Sequence, residues 1–179
     1  FEFLVGAGEY RLLEKIKKAN PENPITEVIH ERLKELLQKF ICLGGMPEVI
    51  ANYIETKDLN KSQQILDDLI ISIQTDFAKY KKRTSVSILN EVFQSVVAQA
   101  GQKFMYSKVS NYANHKQIKE ALQLLITANI VIPITHTSAN GIPLGAEAIY
   151  QKQKLLLFDT GIFQRIMGLN MEDFLLSAN

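Results

Sequence analysis

Few residues in this 179-residue chain combine the types and spacing that chemistry needs. Cys42 is the single cysteine, and with His30 it would suggest a thiol–imidazole pair. Cys42, however, lies in an apolar run at a helix end, and His30 sits in a charged stretch, so the expectation is a buried structural thiol. The three histidines, His30, His115 and His136, are far apart and lack ligand spacing. No HxxxH, CxxC or EF-hand pattern occurs, so no metal site is expected. Asp67, Asp68 and Asp76 lie along one predicted helix and read as solvated carboxylates. No GxxxxGK[ST] loop occurs either, so this segment cannot hold and hydrolyse a nucleotide in the P-loop way. No catalytic residue is assigned, and the segment alone is not expected to be an enzyme.

One stretch stands apart: "KFICLGGMPEVIANYI", Lys39–Ile54. Its two glycines and a proline separate two runs of helical periodicity. The local explanation is a glycine cap at Gly44 and Gly45, followed by a helix that starts at Pro47.

The surrounding elements are mostly helices. Leu12, Leu13 and Ile16 mark a first helix over about 2–18, broken by "NPENP". Ile25, Ile29, Leu33, Leu36, Leu37 and Phe40 mark the second. After the "MPEVIANYIE" helix, Ile65, Leu69, Ile73, Phe77 and Tyr80 give a helix over about 60–82, ending in the basic "KYKKR". A further helix covers about 85–100 and stops at Gly101. Then the pattern changes. "KFMY" reads as a short strand and "SKVSNYA" as a short helix capped by Ser107. "NHKQIKEALQLLITAN" reads as a strong helix with Ile118, Leu122 and Leu125 inward. "IVIPITHT" and "AIYQKQKLLLFD" read as two strands joined by a turn-rich loop. A last helix begins near Thr160.

The fold class is therefore mainly α with a small β-hairpin. The order strand, short helix, turn, longer helix and antiparallel hairpin is that of a winged helix. The division is a helical domain over 1–83 and a winged-helix domain over 84–179.

Composition bounds the setting. Apolar residues make up 46% of the chain, enough for a packed core. A lone cysteine fits a reducing cytosol. No signal peptide is visible, and runs such as "LLLF" are too short to span a bilayer. A cytoplasmic protein without a membrane partner is expected. The chain opens "FEFLVGAGEY" without an initiator Met and reads as a fragment of something longer. Residues 1–78 hold 9 Lys/Arg against 13 Asp/Glu, net −4, and residues 79–179 hold 11 against 6, net +5.

That sign change suggests two halves with different surfaces, and the winged-helix order raises nucleic acid. In a winged helix the second helix enters the major groove. Its outward face here carries Lys116, Lys119 and Gln123, with Lys108 ahead of it and Lys152 and Lys154 on the wing. Lysines hold phosphate by charge without reading sequence. The competing view is an ordinary solvated helix face, with Glu120 placed to pair with Lys116.

The order of motifs resembles the C-terminal half of a large bacterial and archaeal group of AAA-type P-loop ATPases with an uncharacterised C-terminal domain. The matching pieces are "FEFLVGAGEYRLLEKI", "HERLKELLQKFICLGGMPEVIANYIE", "ILDDLIISIQTDFAKYKK", "ALQLLITANIVIPI" and "KLLLFDTGIFQRIMGL". Together they cover nearly the whole chain. Phe163 departs from the family, which usually has Leu there.

The resemblance implies that the Walker motifs, ATP and Mg²⁺ belong to an upstream ATPase core, and that this segment holds no cofactor of its own. Residues 1–83 would be the lid of that core. The glycine-x-proline turn of such lids packs against adenine, which points to Gly45, Met46 and Pro47 as nucleotide contacts in the parent protein. Glycine lets a ligand approach the backbone, proline fixes the turn, and methionine offers a soft apolar surface. The readings left open are a non-catalytic segment of an ATPase, a winged-helix DNA-binding regulator, and a winged-helix module that binds protein.

Overall fold

Glycine and small polar caps decide where the helices stop. The structure, a computed structural model, describes residues 1–177. It is mainly helical with one two-stranded antiparallel sheet among the described residues. Two compact units divide the chain: residues 1–69 with 159–179, and residues 70–158. The boundary expected at 83/84 falls inside the second unit, and the helices after Asp159 pack with the first.

The first unit holds α1 (Glu2–Gly6), α2 (Tyr10–Lys18), α3 (Glu27–Leu43), α4 (Pro47–Thr56), the start of α5 (Leu59–Asp76), α8 (Thr160–Ile166) and α9 (Met171–Ser177). The single helix expected over 2–18 is in fact two. Gly8 takes φ +76°, its N–H donates to the Val5 carbonyl, and the Glu9 N–H donates to that of Leu4. This pair of bonds closes the end of α1, and a left-handed residue is required to make it. Leu4, Leu13 and Leu36 form one buried cluster, with Phe3, Leu12, Ile16 and Leu33 packed on it. Cys42, Leu43, Val49, Leu66, Ile162 and Met171 are buried in the same unit.

The second unit holds the last turns of α5, a 3₁₀ turn at Phe77–Tyr80, α6 (Val86–Ala98), a 3₁₀ turn at Tyr106–Lys108, α7 (His115–Thr127), β1 (Val131–Thr137) and β2 (Ala148–Leu157). Ser85 caps α6, accepting a hydrogen bond from the Ser87 N–H. Asn114 and Gln117 make a reciprocal capping box on α7, which satisfies two donors that a helix start leaves orphaned. Phe77 meets Phe93 edge-on, with ring centres 5.7 Å apart. Leu89, Val92, Val96, Phe104, Ile118, Leu122, Leu125, Val131 and Leu155 are buried in the same unit.

Two expectations change here. "KFMY" is not a strand. It makes one bridge, Lys103 opposite Lys154, with the Phe104 N–H donating to the Gln153 carbonyl. Buried Gln99 holds this loop instead, accepting from the Met105 N–H at 2.8 Å and donating to the Met105 carbonyl at 3.3 Å. "SKVSNYA" is not an α-helix capped by Ser107. Only the 3₁₀ turn at 106–108 forms, and the Ser110 hydroxyl accepts from the N–H groups of Tyr112 and Ala113. Such a serine turn competes with helix for the same donors.

In the hairpin, Val131 pairs with Leu157 and Ile134 with Lys154, and an irregularity follows Thr135. Inward positions include Val131 and Leu155. Among the described residues no helix is long and apolar enough to cross a membrane.

Candidate functional site

The double-glycine turn is built from two distant parts of the first unit. α3 ends at Leu43, and Gly44 follows at φ +76°. The Gly45 N–H donates to Asp159 Oδ2 at 2.6 Å, across 114 positions of sequence. The other oxygen, Oδ1, accepts from the Ile162 N–H at 2.8 Å and so caps α8. One buried carboxylate thus satisfies a donor of the turn and a donor of the helix start. The space is full. A Cβ on Gly44 would collide with the Asp159 carboxylate, and a Cβ on Gly161 would collide with the Leu43 carbonyl. Both glycines are therefore explained by close approach inside this unit, without any ligand.

Two further contacts tie α8 down. Gln164 Nε2 donates to the Cys42 carbonyl at 2.8 Å, at the end of α3 where carbonyls lack helical partners. Arg165 makes a two-pronged ion pair with Asp67, at 2.6 and 2.9 Å. The Asp67 carboxylate keeps the Arg165 guanidinium above its usual range. Asp67 is thus not merely solvated, as its helix position suggested. The neighbouring Asp68 is exposed, and Asp76 pairs with Lys79 at 2.6 Å.

Of the residues proposed for nucleotide, Gly45 and Pro47 are exposed and Met46 is half-buried. Met46 is the N-cap of α4, and Pro47 occupies its first turn. The Gly45 N–H is already taken by Asp159. What this turn offers outward is the apolar surface of Met46 and Pro47.

Cys42 is buried and His30 is exposed, so they form no pair. Burial pushes the Cys42 thiol from its usual 9.0 to about 11. The unfolded chain therefore loses this proton first, and the contribution to stability falls as pH rises from about 9 to about 11. Ellman's reagent is expected to leave Cys42 untouched at pH 8 in the folded chain and to label it in urea. Rapid labelling without denaturant would contradict the buried position.

The five lysines considered for nucleic acid all fall in the second unit. By its boundaries the first unit carries 10 Lys/Arg against 15 Asp/Glu, net −5, and the second 10 against 4, net +6. The charge asymmetry is sharper by packing than by sequence order. Lys108, Lys116, Lys119, Lys152 and Lys154 are all exposed. Lys116 and Lys119 leave α7 away from buried Ile118, Leu122 and Leu125. Lys116 lies 4.0 Å from Glu120, whereas Lys108, Lys119, Lys152 and Lys154 have no ion pair among the described residues. Lys154 stands in the hairpin ladder, and Lys152 lies in its irregular part. Sequence reasoning missed Tyr112, which is 97% exposed immediately before α7. It also missed the Tyr106 ring, 4.6 Å from that of His115. Among the described residues no three His, Cys, Asp or Glu side chains gather to hold a metal ion.

The residues missed around the double-glycine turn are Asp159, Gly161, Gln164 and Arg165. Asp before a helix start signals an N-cap, but nothing local says that the same carboxylate reaches Gly45.

The family described as a domain of unknown function (DUF8612) matches residues 34–173. That span runs from within α3 into α9, and includes both halves of the Gly45–Asp159 junction. No curated protein and no solved structure matches the chain.

Proposed function

This chain belongs to the DUF8612 family, a domain of unknown function, and we propose that it is the non-catalytic C-terminal segment of an AAA-type P-loop ATPase. In this reading the first unit closes over nucleotide bound by an upstream core. The second unit is a winged helix that couples the core to a partner. One observation carries the proposal. "GGMPEV" and "DTGIF", which lie in two of the pieces that carry the resemblance, meet through the Gly45–Asp159 hydrogen bond. A nucleotide contact would use the apolar surface of Met46 and Pro47, because the Gly45 N–H is engaged.

The purified chain is expected to turn over no ATP, since it has no phosphate-binding loop. In the parent protein, Pro47→Ala is expected to weaken nucleotide binding roughly fourfold, about one buried methylene's worth, while the apo melting temperature barely moves. Calorimetric titration measures this. Turnover by the isolated chain, or a parent protein without a P-loop, would overturn the reading. Unchanged nucleotide affinity in Pro47→Ala would leave the turn as purely structural.

A second reading is favoured by the +6 charge of the second unit. There the winged helix binds duplex DNA through Lys108, Lys116 and Lys119, flanked by Lys152 and Lys154. Binding would be weak and indifferent to sequence, because lysines neutralise phosphate but lack the planar fork that reads guanine. If five phosphates are met, log affinity falls against log salt with a slope of roughly −4 to −5. Lys116→Glu with Lys119→Glu is expected to abolish binding without unfolding the chain. An anisotropy titration at low salt measures this, and no binding at tens of micromolar protein removes the DNA reading.

A further inference from the structure

The outer face of the hairpin carries an arrangement of which the readings above use only Lys154. Ile132 stands opposite Leu156 and Ile134 opposite Lys154. Residues directly opposed in an antiparallel ladder leave the sheet on the same side. Val131 and Leu155 are buried on the inner side, so Ile132, Ile134, Leu156 and Lys154 share the outer one. Ile132 is 47%, Ile134 48% and Leu156 37% exposed. They form a contiguous apolar stripe rather than isolated surface side chains.

Beside that stripe, Lys103 bridges Lys154. Those two side chains also leave on one side, and neither has an ion pair among the described residues. Like charges directly opposed across a bridge weaken a sheet. The arrangement is relieved by a negative group set over both lysines. A phosphate backbone would meet the lysines but would gain nothing from the Ile132, Ile134 and Leu156 surface.

We propose that the outer face of this hairpin is a docking surface for a partner protein segment that carries acidic and apolar side chains together. The acid sits over Lys103 and Lys154, and the apolar side chains cover Ile132, Ile134 and Leu156. Lys154 and Leu156 are two residues apart, about 7 Å along a strand. An extended segment of the pattern acidic-x-apolar spans that distance, as do positions i and i+4 of a helix. The proposal uses neither Lys116 nor Lys119 of α7, and it does not depend on the ATPase reading.

The test selects peptides from a random dodecapeptide library against the full chain, with affinities then measured by anisotropy. Selected peptides are expected to share a Glu or Asp near a Leu, Ile or Phe. Ile134→Ser and Lys154→Glu, both at exposed positions, are each expected to weaken binding about tenfold while leaving the melting temperature in place. Lys in place of the peptide's acid should recover affinity for Lys154→Glu. The proposal is overturned if no peptide is enriched, if enriched peptides lack acids, or if binding ignores both substitutions. It is also overturned if duplex DNA binds the chain, displaces the peptide and itself depends on Lys154, for the face would then belong to nucleic acid.

Discussion

Gly161→Ala is expected to destabilise the chain by about 3 kcal/mol. Overpacking against rigid surroundings costs roughly 1–3 kcal/mol, and each hydrogen bond lost with it about 1 kcal/mol. The added Cβ would collide with the Leu43 carbonyl oxygen and stand 2.7 Å from its carbon and 2.9 Å from the Gly44 nitrogen. All three are backbone atoms at the end of α3, so no side chain can rotate away. Relief requires α8 to withdraw, which strains the Gly45–Asp159 and Gln164–Cys42 hydrogen bonds. Gly145→Ala is the control. A Cβ there meets nothing within 4 Å, and a surface change of this kind stays within about 0.5 kcal/mol. Urea melts measure both, with the midpoint moving at constant slope. Equal midpoints for the two variants would mean that α8 does not pack on the α3 end as described.

Leu122→Ala is expected to cost about 2–5 kcal/mol, the usual range for emptying a well-packed leucine site. Leu122 is 3% exposed on α7, in line with buried Ile118 and Leu125. Lys119→Ala, at an exposed position of the same helix, is expected to cost under about 0.5 kcal/mol. The pair fixes which side of α7 is buried, and hence which side is free for a partner. Comparable losses in denaturant melts would reverse that assignment and remove Lys116 and Lys119 as an available surface.

Local rules carried much of the fold. The 3.6-residue period of Ile118, Leu122 and Leu125, with Asn114 at the start, is enough to place α7. Gly44 after α3 and Pro47 opening α4 follow from backbone sterics alone. The β-branched run at 131–137 predicts β1, because such side chains fit a pleated surface. Where local signals compete, the sequence misleads. Gly8 cuts the first predicted helix, since an end closed through a left-handed residue satisfies carbonyls that a continuous helix over 2–18 would have used otherwise. At 107–113 the Ser110 hydroxyl captures donors that an α-helix needs.

The sequence also determined the sign of the charge imbalance, because charges can be counted without a fold. It could not determine which residues share a unit. Residues 159–177 follow the hairpin in the chain, yet their helices pack with the first 69 residues, because Asp159, Gln164 and Arg165 find their partners at Gly45, Cys42 and Asp67. Those pairings lie about a hundred positions apart. Periodicity and caps report only on neighbours within a turn or two, so a contact between distant backbones leaves no local trace. What the sequence supplied was two glycine-containing motifs, and only the tertiary structure shows that each is small because the other occupies its space.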